Sequence, residues 1–367
     1  MVLKVCHMTS AHNRYDVRIF EKECKSLANN GYDVTLIVND CNNDEIIDNV
    51  KIVSTKFKPK NRIDRIINSK NVILKKAIEV DADIYHIHDP ELLQVGNKLK
   101  RFNKKVIFDS HEDVPAQIKD KHWIPEAMRN IISKLYEKFE IYSVSRYDAV
   151  ISVTPHIVER FKGIKDNSIM VTNYPIINDE DILRNPTNAI CFAGGISKQW
   201  NHDKIIGAIG NIENVRYILA GSGTNDYMDY LMNLPSWNKV DFRGKVSHSD
   251  VKKIYSQSLV GMALNYSNQA KHEGTLGNTK LFEYMEAGIP VICSNYKLWN
   301  NIINEFNCGI CVDPNSVDEI TNAIKYLITN PELADKMGQE GRRAVKLKFN
   351  WDVEEQKLLK LYKGIIK

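Results

Sequence analysis

The chain of 367 residues has no run near the roughly 18 consecutive apolar residues of a membrane-crossing helix, and its start, MVLKVCHMTSAHNRYD, lacks a signal peptide's apolar core. A membrane-spanning or exported protein is not expected, and the expected location is the cytoplasm. Cysteine is sparse and odd in number, seven residues scattered from Cys6 to Cys311, which excludes the paired framework of a secreted disulfide scaffold. The one C-x-x-C, Cys308-Gly-Ile-Cys311, sits in an apolar stretch without a second pair or a metal-spaced histidine. It reads as buried strand, since a zinc site needs about four ligands. Glycine (18) and proline (11) are few, and charge is nearly balanced at 50 basic against 46 acidic residues; with 43% hydrophobic residues this excludes disorder, collagen and coiled coil. Residues 9–13, Thr-Ser-Ala-His-Asn, hold no G-x-G-x-x-G after the first strand, and LAGSG at 219–223 is too short to stand in for it, so a dinucleotide oxidoreductase is not expected.

What is present is a regular alternation of short β-rich runs with helical patterns, the mark of parallel sheets built from βαβ units. The length argues for two domains. LKVCHM (3–8) reads as a strand, followed by a helix whose apolar stripe is Val17, Phe20, Cys24, Leu27 and Ala28, then by strands at 34–38, 84–88, 105–109, 149–153 and 168–172. The stretch 173–188, with two prolines and no period, reads as a linker. The pattern restarts with strands at 189–194, 216–221, 240–244, 259–264, 289–293 and 309–312, and closes with a helix at 331–348 and an amphipathic helix at 353–366. The expected domains are 1–178 and 179–350, two doubly wound parallel sheets facing across a cleft, with 351–367 as a C-terminal helix crossing back to the first. In such sheets ligands bind beyond the carboxyl ends of the strands.

The strongest local signal is HEGTLGNTKLFEYMEAGIPVI, residues 272–292. A glycine loop (Gly274, Gly277) leads to Asn278 or Thr279 as a helix cap, aiming backbone N–H groups and the positive helix end at an anion. Glu283 falls in or just after the first turn. A carboxylate repels phosphate but accepts from sugar hydroxyls, so loop and Glu283 together suit a nucleotide's diphosphate and ribose. A solvated glutamate favoured by the helix dipole fits the same position.

KLFEYMEAGIPVI, with AGGIS (193–197), LAGSG (219–223), FRGKVSHSDV (242–251), FNWD (349–352), and, in the first half, HNRYDVRIFEKECKSLANNGYDVTLI, HIHDPEL and FDSHED, resembles the retaining GT-B glycosyltransferases of family GT4 over essentially the whole chain. The resemblance implies a GT-B fold and a metal-independent hexosyltransferase that needs no cofactor and uses a nucleotide-sugar donor, most simply a UDP-sugar. It implies that Glu283 contacts the donor ribose, that Gly194 and Gly195 give N–H groups to the diphosphate, that Lys245 and Val246 lie where backbone recognises the base, and that His111 contacts the donor sugar near its anomeric centre. Gly277, Thr279 and Lys280 belong to the same donor loop. The sequence departs from the family where an E-x7-E would need glutamate at Thr275, Glu273 being two residues off register, and where the usual diphosphate-clamping Arg and Lys align with Gly195 and Trp200. Lys198 and Lys280 are the nearby cations that would stabilise the charge developing on the leaving diphosphate. No enzyme nucleophile is implied.

Other readings stay open. His86-x-His88-Asp89 and Asp109-Ser-His111-Glu112-Asp113 could gather His88, Asp89, His111 and Asp113 around a metal, as in a metal-dependent hydrolase, or simply cap strand ends. A nucleotide-sugar 2-epimerase of GT-B fold and a catalytically weakened nucleotide-binding protein are further alternatives. His12, Asp16, Arg18 and Glu21 form a polar cluster suited to a ligand or to surface ion pairs. Between Lys56 and Lys76 stand eight basic residues (Lys56, Lys58, Lys60, Arg62, Arg65, Lys70, Lys75, Lys76) against one acid, Asp64. With Ile63, Ile66, Ile67, Leu74 and Ile78 at helical spacing, residues 56–76 read as a basic amphipathic segment for an anionic membrane surface, or as a helix on its own sheet with solvated lysines. Nucleic acid is not an expected partner, since Phe57 is the one aromatic interleaved with the charge. The sum is a sugar-transferring enzyme acting on a glycan or lipid-linked acceptor in cell-surface polysaccharide or capsule synthesis, cytoplasmic or peripheral on the inner membrane face.

Overall fold

The computed structural model describes residues 2–120, 124–177, 184–266, 274–277 and 279–366. The expected cap Asn278, the off-register Glu273 and linker residues 178–183 lie outside them. The chain divides into two compact units, residues 1–173 with 351–367, and residues 174–350.

The first unit holds an eight-stranded sheet. Its strands are β1 (Lys4–Met8), β2 (Asp33–Val38), β3 (Glu45–Ile47), β4 (Val50–Ser54), β5 (Ile84–Ile87), β6 (Lys105–Ser110), β7 (Ala149–Ser152) and β8 (Ser168–Met170), in the spatial order β3-β4-β2-β1-β5-β6-β7-β8. All neighbours are parallel except β3, which pairs antiparallel with β4. Alternation sends successive side chains to opposite faces. One face gathers Val5, Ile84, Ile107 and Ile151 under Ile19, Phe20, Leu358 and Tyr362, so the helix Trp351–Ile366 completes the core of this unit. The other face gathers Cys6, Met8, Tyr85, Ile87 and Phe108 with Ile73, Ala77 and Phe161.

Two local expectations are corrected. The first helix opens as a π-helical stretch, Val17–Cys24, before an α-helical Lys25–Asn29. Its wider turn shifts the phase, leaving Val17 51% exposed while Ile19 takes a core place beside Phe20, Cys24 and Leu27. The same happens in the basic segment, where a π turn, Arg65–Ser69, separates Arg62–Asp64 from the helix Lys70–Val80. Ile73 and Ala77 are buried there, and Ile63, Ile66, Ile67 and Ile78 face solvent. The β3–β4 hairpin turns through Asp48 and Asn49, both with positive φ, the geometry of a tight hairpin turn.

The second unit holds an all-parallel sheet of β9 (Thr187–Gly195), β10 (Arg216–Ser222), β11 (Val240–Gly244), β12 (Ser258–Ala263), β13 (Val291–Ser294) and β14 (Gly309–Val312), ordered β11-β10-β9-β12-β13-β14. Ile190, Phe192, Leu219 and Met262 are core residues shared with Ile205, Ile209, Ile320 and Ile324 of the flanking helices. Cys308 is buried just before β14, and Cys311 within it faces Cys293 of β13 at 3.6 Å, sulfur to sulfur. Among the described residues no helix is long and apolar enough to cross a membrane.

Candidate functional site

In each sheet the chain order reverses beside one strand, β1 between β2 and β5, and β9 between β10 and β12. At such switch points the connecting loops diverge and leave a crevice at the carboxyl ends.

At the β1–β5 crevice the loops are tied together. Asp89 Oδ2 accepts from Thr9 Oγ1 at 2.8 Å and from the Ser10 N–H at 2.6 Å. His12 Nδ1 lies 3.1 Å from Asp16 Oδ2, and Asp16 caps the helix by accepting from the N–H groups of Arg18 and Ile19. Burial disfavours the His12 cation, but Asp16 and Asp89 outweigh it and the pKa is raised. His111, just past β6, is 20% exposed, its Nε2 3.0 Å from Asp109 Oδ2. Arg18 grips the same buried carboxylate with Nε at 2.8 Å and Nη2 at 3.0 Å. Burial alone would raise the Asp109 pKa; Arg18, then His111 and His88, override it and hold it well below the usual range. His88 is uncharged, burial pushing its pKa down to about 4.

These groups floor a cavity of about 600 Å³ lined by His12, His88, Asp89, Asp109 and His111. Its walls are apolar (Ile118, Ile124, Ile132, Phe139), with Ile66 and Ile67, and Arg62, Arg65 and Lys70 stand on one side. Arg65 Nε is 2.8 Å from Glu91. The cluster His12, Asp16, Arg18 and Glu21 is split by the fold: Glu21 pairs with Lys25 at 2.6 Å on the surface and Arg18 turns inward. The quartet His88, Asp89, His111 and Asp113 is not assembled either. Asp113 accepts from the Ala116 N–H at 3.1 Å, and Asp89 is held by Thr9 and Ser10. No local sequence pattern joins Arg18 to Asp109, since 91 residues separate the partners.

At the β9–β10–β12 strand ends, Gly194 pairs in register with Gly221 and Gly195 with Ser222. Gly221 has φ +134°, and a Cβ there would stand 1.8 Å from the Gly194 carbonyl oxygen, so no other residue fits. A Cβ on Gly194 would meet Lys280 Cε at 3.0 Å, whereas Gly195 faces open space. Glu283, about one third exposed at 32%, lies in the helix Thr279–Glu286. Its Oε1 accepts from Thr279 Oγ1 at 2.7 Å, and its Oε2 from Lys280 Nζ at 2.5 Å and Tyr255 OH at 3.0 Å. Burial raises this carboxyl's pKa, and Lys280, Thr279 and Tyr255 more than reverse it, keeping Glu283 ionised. The fold thus brings Gly194, Thr279, Lys280 and Glu283 together. Tyr255 is an addition that no local spacing could reveal. Gly277 donates its N–H to Thr275 Oγ1 at 3.0 Å, and Trp299 Nε1 anchors the loop on the Thr275 carbonyl at 2.8 Å. Lys245 is exposed and Val246 half-buried after Gly244, whose φ is +61°. Lys198 lines a separate pocket of about 620 Å³ with Asn201, Asp203, Thr224, Asp226 and Tyr230.

Two family profiles match the chain: "Glycosyltransferase Family 4" over residues 18–175 and "Glycosyl transferases group 1" over residues 176–344. An uncharacterized glycosyltransferase of Methanocaldococcus jannaschii is 24% identical over 288 residues, 73% of this chain and 70% of that protein. Among solved structures, a sucrose-phosphate synthase of Thermosynechococcus elongatus superposes with a TM-score of 0.73 at 16% identity, covering 99% of both chains. Anabaena HepE in complex with UDP and glucose gives 0.69 at 12% identity, covering 99% of this chain and 100% of that one. At these identities the structural likenesses speak for the fold, two Rossmann-like parallel-sheet domains of GT-B type.

Proposed function

The chain belongs to the GT4-type glycosyltransferases, and from that premise we propose that it moves a sugar, with retention, from a UDP-sugar to a glycan or lipid-linked acceptor in cell-surface polysaccharide synthesis. The observation that carries the donor half is the ionised Glu283 beside Lys280, set against the Gly194 strand end. A carboxylate offers about four lone-pair sites, and three are engaged here, so a ribose hydroxyl has a place to bind. Lys280 is then within reach of the diphosphate, where a cation and strand-end N–H groups at Gly194 and Gly195 would stabilise the leaving group's charge without a metal ion. Gly277 and Thr279 shape the same loop, Lys245 and Val246 are proposed for the base, and Lys198 as a second cation for the donor. His111 is proposed to meet the donor sugar, because Asp109 engages its Nε2 and leaves Nδ1 for a ligand. That HepE was solved with UDP and glucose supports UDP as the first base to try.

For the acceptor, the cavity beside His111 combines apolar walls with Arg62, Arg65 and Lys70, which suits a molecule with an apolar portion and an anionic one. Ile63, Ile66 and Ile67 are exposed amid this basic segment, supporting a peripheral hold on an anionic membrane at about 1 kcal/mol per basic residue. The test is a thermal-shift screen of UDP, GDP, ADP and their sugar conjugates. A ligand at 100 times its Kd stabilises the native state by about 2.7 kcal/mol. Stabilisation by UDP and release of UDP only with acceptor present are expected. Indifference to every nucleotide would overturn the reading, and conversion of the donor without acceptor would favour an epimerase. Replacing Lys56, Lys58 and Lys60 by glutamate should reduce sedimentation with phosphatidylserine vesicles; unchanged sedimentation removes the membrane contact.

A further inference from the structure

Behind the cavity floor lies a cluster of ionisable side chains that the proposed reaction does not use. Strand register places His7 of β1 beside His86 of β5, and period two puts His86 and His88 on the same face. The helix Val17–Cys24 lays Glu23 over them. All four side chains are fully enclosed by the fold. His7 Nδ1 and His88 Nε2 are 2.9 Å apart, and Glu23 Oε2 stands 3.8 Å from each and 3.9 Å from His86 Nδ1. One ligand atom from each residue lies within 4.8 Å of every other.

Polar atoms this deep are normally paired, because an unpartnered buried carboxylate or imidazole is costly. Among the described residues neither oxygen of Glu23 accepts a hydrogen bond. Arg18 Nε, 3.1 Å from Glu23 Oε1, spends its hydrogen bond on Asp109. Four ligands at about 2.0–2.1 Å around a tetrahedral ion stand about 3.4 Å apart, close to the separations found. We propose that His7, His86, His88 and Glu23 form a buried site for a divalent transition metal, zinc above all, whose role is structural.

Two of the three imidazoles have the second contact a metal site requires, while His86, ligating through Nδ1, keeps Nε2 without one among the described residues. A ligating imidazole is uncharged and donates its other N–H to a second group that orients it. His88 Nδ1 lies 3.3 Å from Asp109 Oδ2, and His7 Nε2 lies 3.2 Å from the Tyr362 hydroxyl. Tyr362, also 2.8 Å from His86 Nδ1, would yield that contact to the ion and keep the other. Three nitrogens and one carboxylate oxygen match zinc, and a closed four-ligand set leaves no position for a reacting water. Binding displaces any proton held by Glu23. The ion would pin β1, β5 and the helix Val17–Cys24 to one another and, through His88 and Asp109, steady His111. This set shares only His88 with the trio His88, Asp109 and His111, the other group close enough to share an ion among the described residues, and it uses the opposite ring nitrogen.

Elemental analysis of the full chain, produced in zinc-supplemented medium and desalted, tests this. The expected result is about one zinc per chain, replaceable by Co²⁺ with the intense visible bands of a tetrahedral site, and a lower unfolding temperature after a strong chelator. Glu23→Gln and His86→Gln should lose the metal while His111→Ala keeps it. If the core variants fail to fold, the wild-type metal content and cobalt spectrum still decide. A metal-free chain that takes up no Co²⁺ and unfolds identically with chelator overturns the proposal. So does metal lost in His111→Ala but kept in Glu23→Gln, which would move the ion to the trio beside the cavity.

Discussion

Glu283 holds its charge because three donors converge on it, and two of these, Thr279 and Lys280, come from its own helix at spacings of four and three residues. That part of the site is readable from sequence, since residues three and four apart share a helix face. The third donor, Tyr255, comes from another helix, and no local pattern announces it. Glu283→Ala should weaken UDP binding by about 1.5–3 kcal/mol, the usual worth of a hydrogen bond to a charged group, read by calorimetry; unchanged affinity would remove Glu283 from the donor site. His111→Ala is expected to do the reverse, leaving UDP affinity nearly intact while turnover falls. Asp109 and Arg18 position His111, and breaking their buried pair with Asp109→Ala should cost about 3–5 kcal/mol of stability, because the buried Arg18 would lose both hydrogen bonds to its main carboxylate. A loss under 1 kcal/mol, read from urea midpoints, would contradict that.

At the scale of elements, strands followed from their apolar β-branched runs, and β11 and β14 run over the residues expected. The π-helical stretches were not legible, because apolar spacing is read against an α-helical period and the structure abandons that period at Val17–Cys24 and Arg65–Ser69. The β3–β4 hairpin escaped for a similar reason, its turn using Asp48 and Asn49 where glycine is the usual signal. Packing also decides protonation. His202, buried at the start of the helix His202–Gly210 with Nδ1 2.9 Å from the Tyr217 hydroxyl, has its pKa pushed down to about 3 by burial. Below the ordinary histidine value of about 6.5 the unfolded chain takes up this proton and the native one does not. Stability therefore falls with pH between about 6.5 and about 3, by up to about 1.4 kcal/mol per pH unit, and is unaffected above. His202→Gln should flatten the acid limb of the stability–pH curve by about one proton; an unchanged slope would show that His202 is protonated in the native state.

At the scale of the whole molecule, the last helix belongs to the unit that contains the first strand. Trp351, Leu358, Leu361, Tyr362 and Ile365 are buried in its core, and Trp351 Nε1 donates to Ser26 Oγ at 2.9 Å. At about 1.5–3 kcal/mol per large apolar side chain, removing residues 351–367 forfeits an amount comparable to the 5–15 kcal/mol that holds a typical domain together. The truncated chain should be insoluble or unfolded, as circular dichroism and size exclusion would show; a folded, soluble product would contradict this account of the core.

By itself the sequence determined most of the alternation of strands and helices, the two-sheet α/β class and the short-range partners of Glu283 within its own helix, because each is written in local period, glycine placement or short spacing. Tertiary structure alone decided that Arg18 serves Asp109, that Tyr255 supplies the third hydrogen bond to Glu283, that Ile63, Ile66 and Ile67 stay exposed, and that His7, Glu23, His86 and His88 meet in one enclosed cluster. Those contacts join residues far apart in the chain, and strand register and helix phase, which set them, are fixed by packing the whole unit around its core.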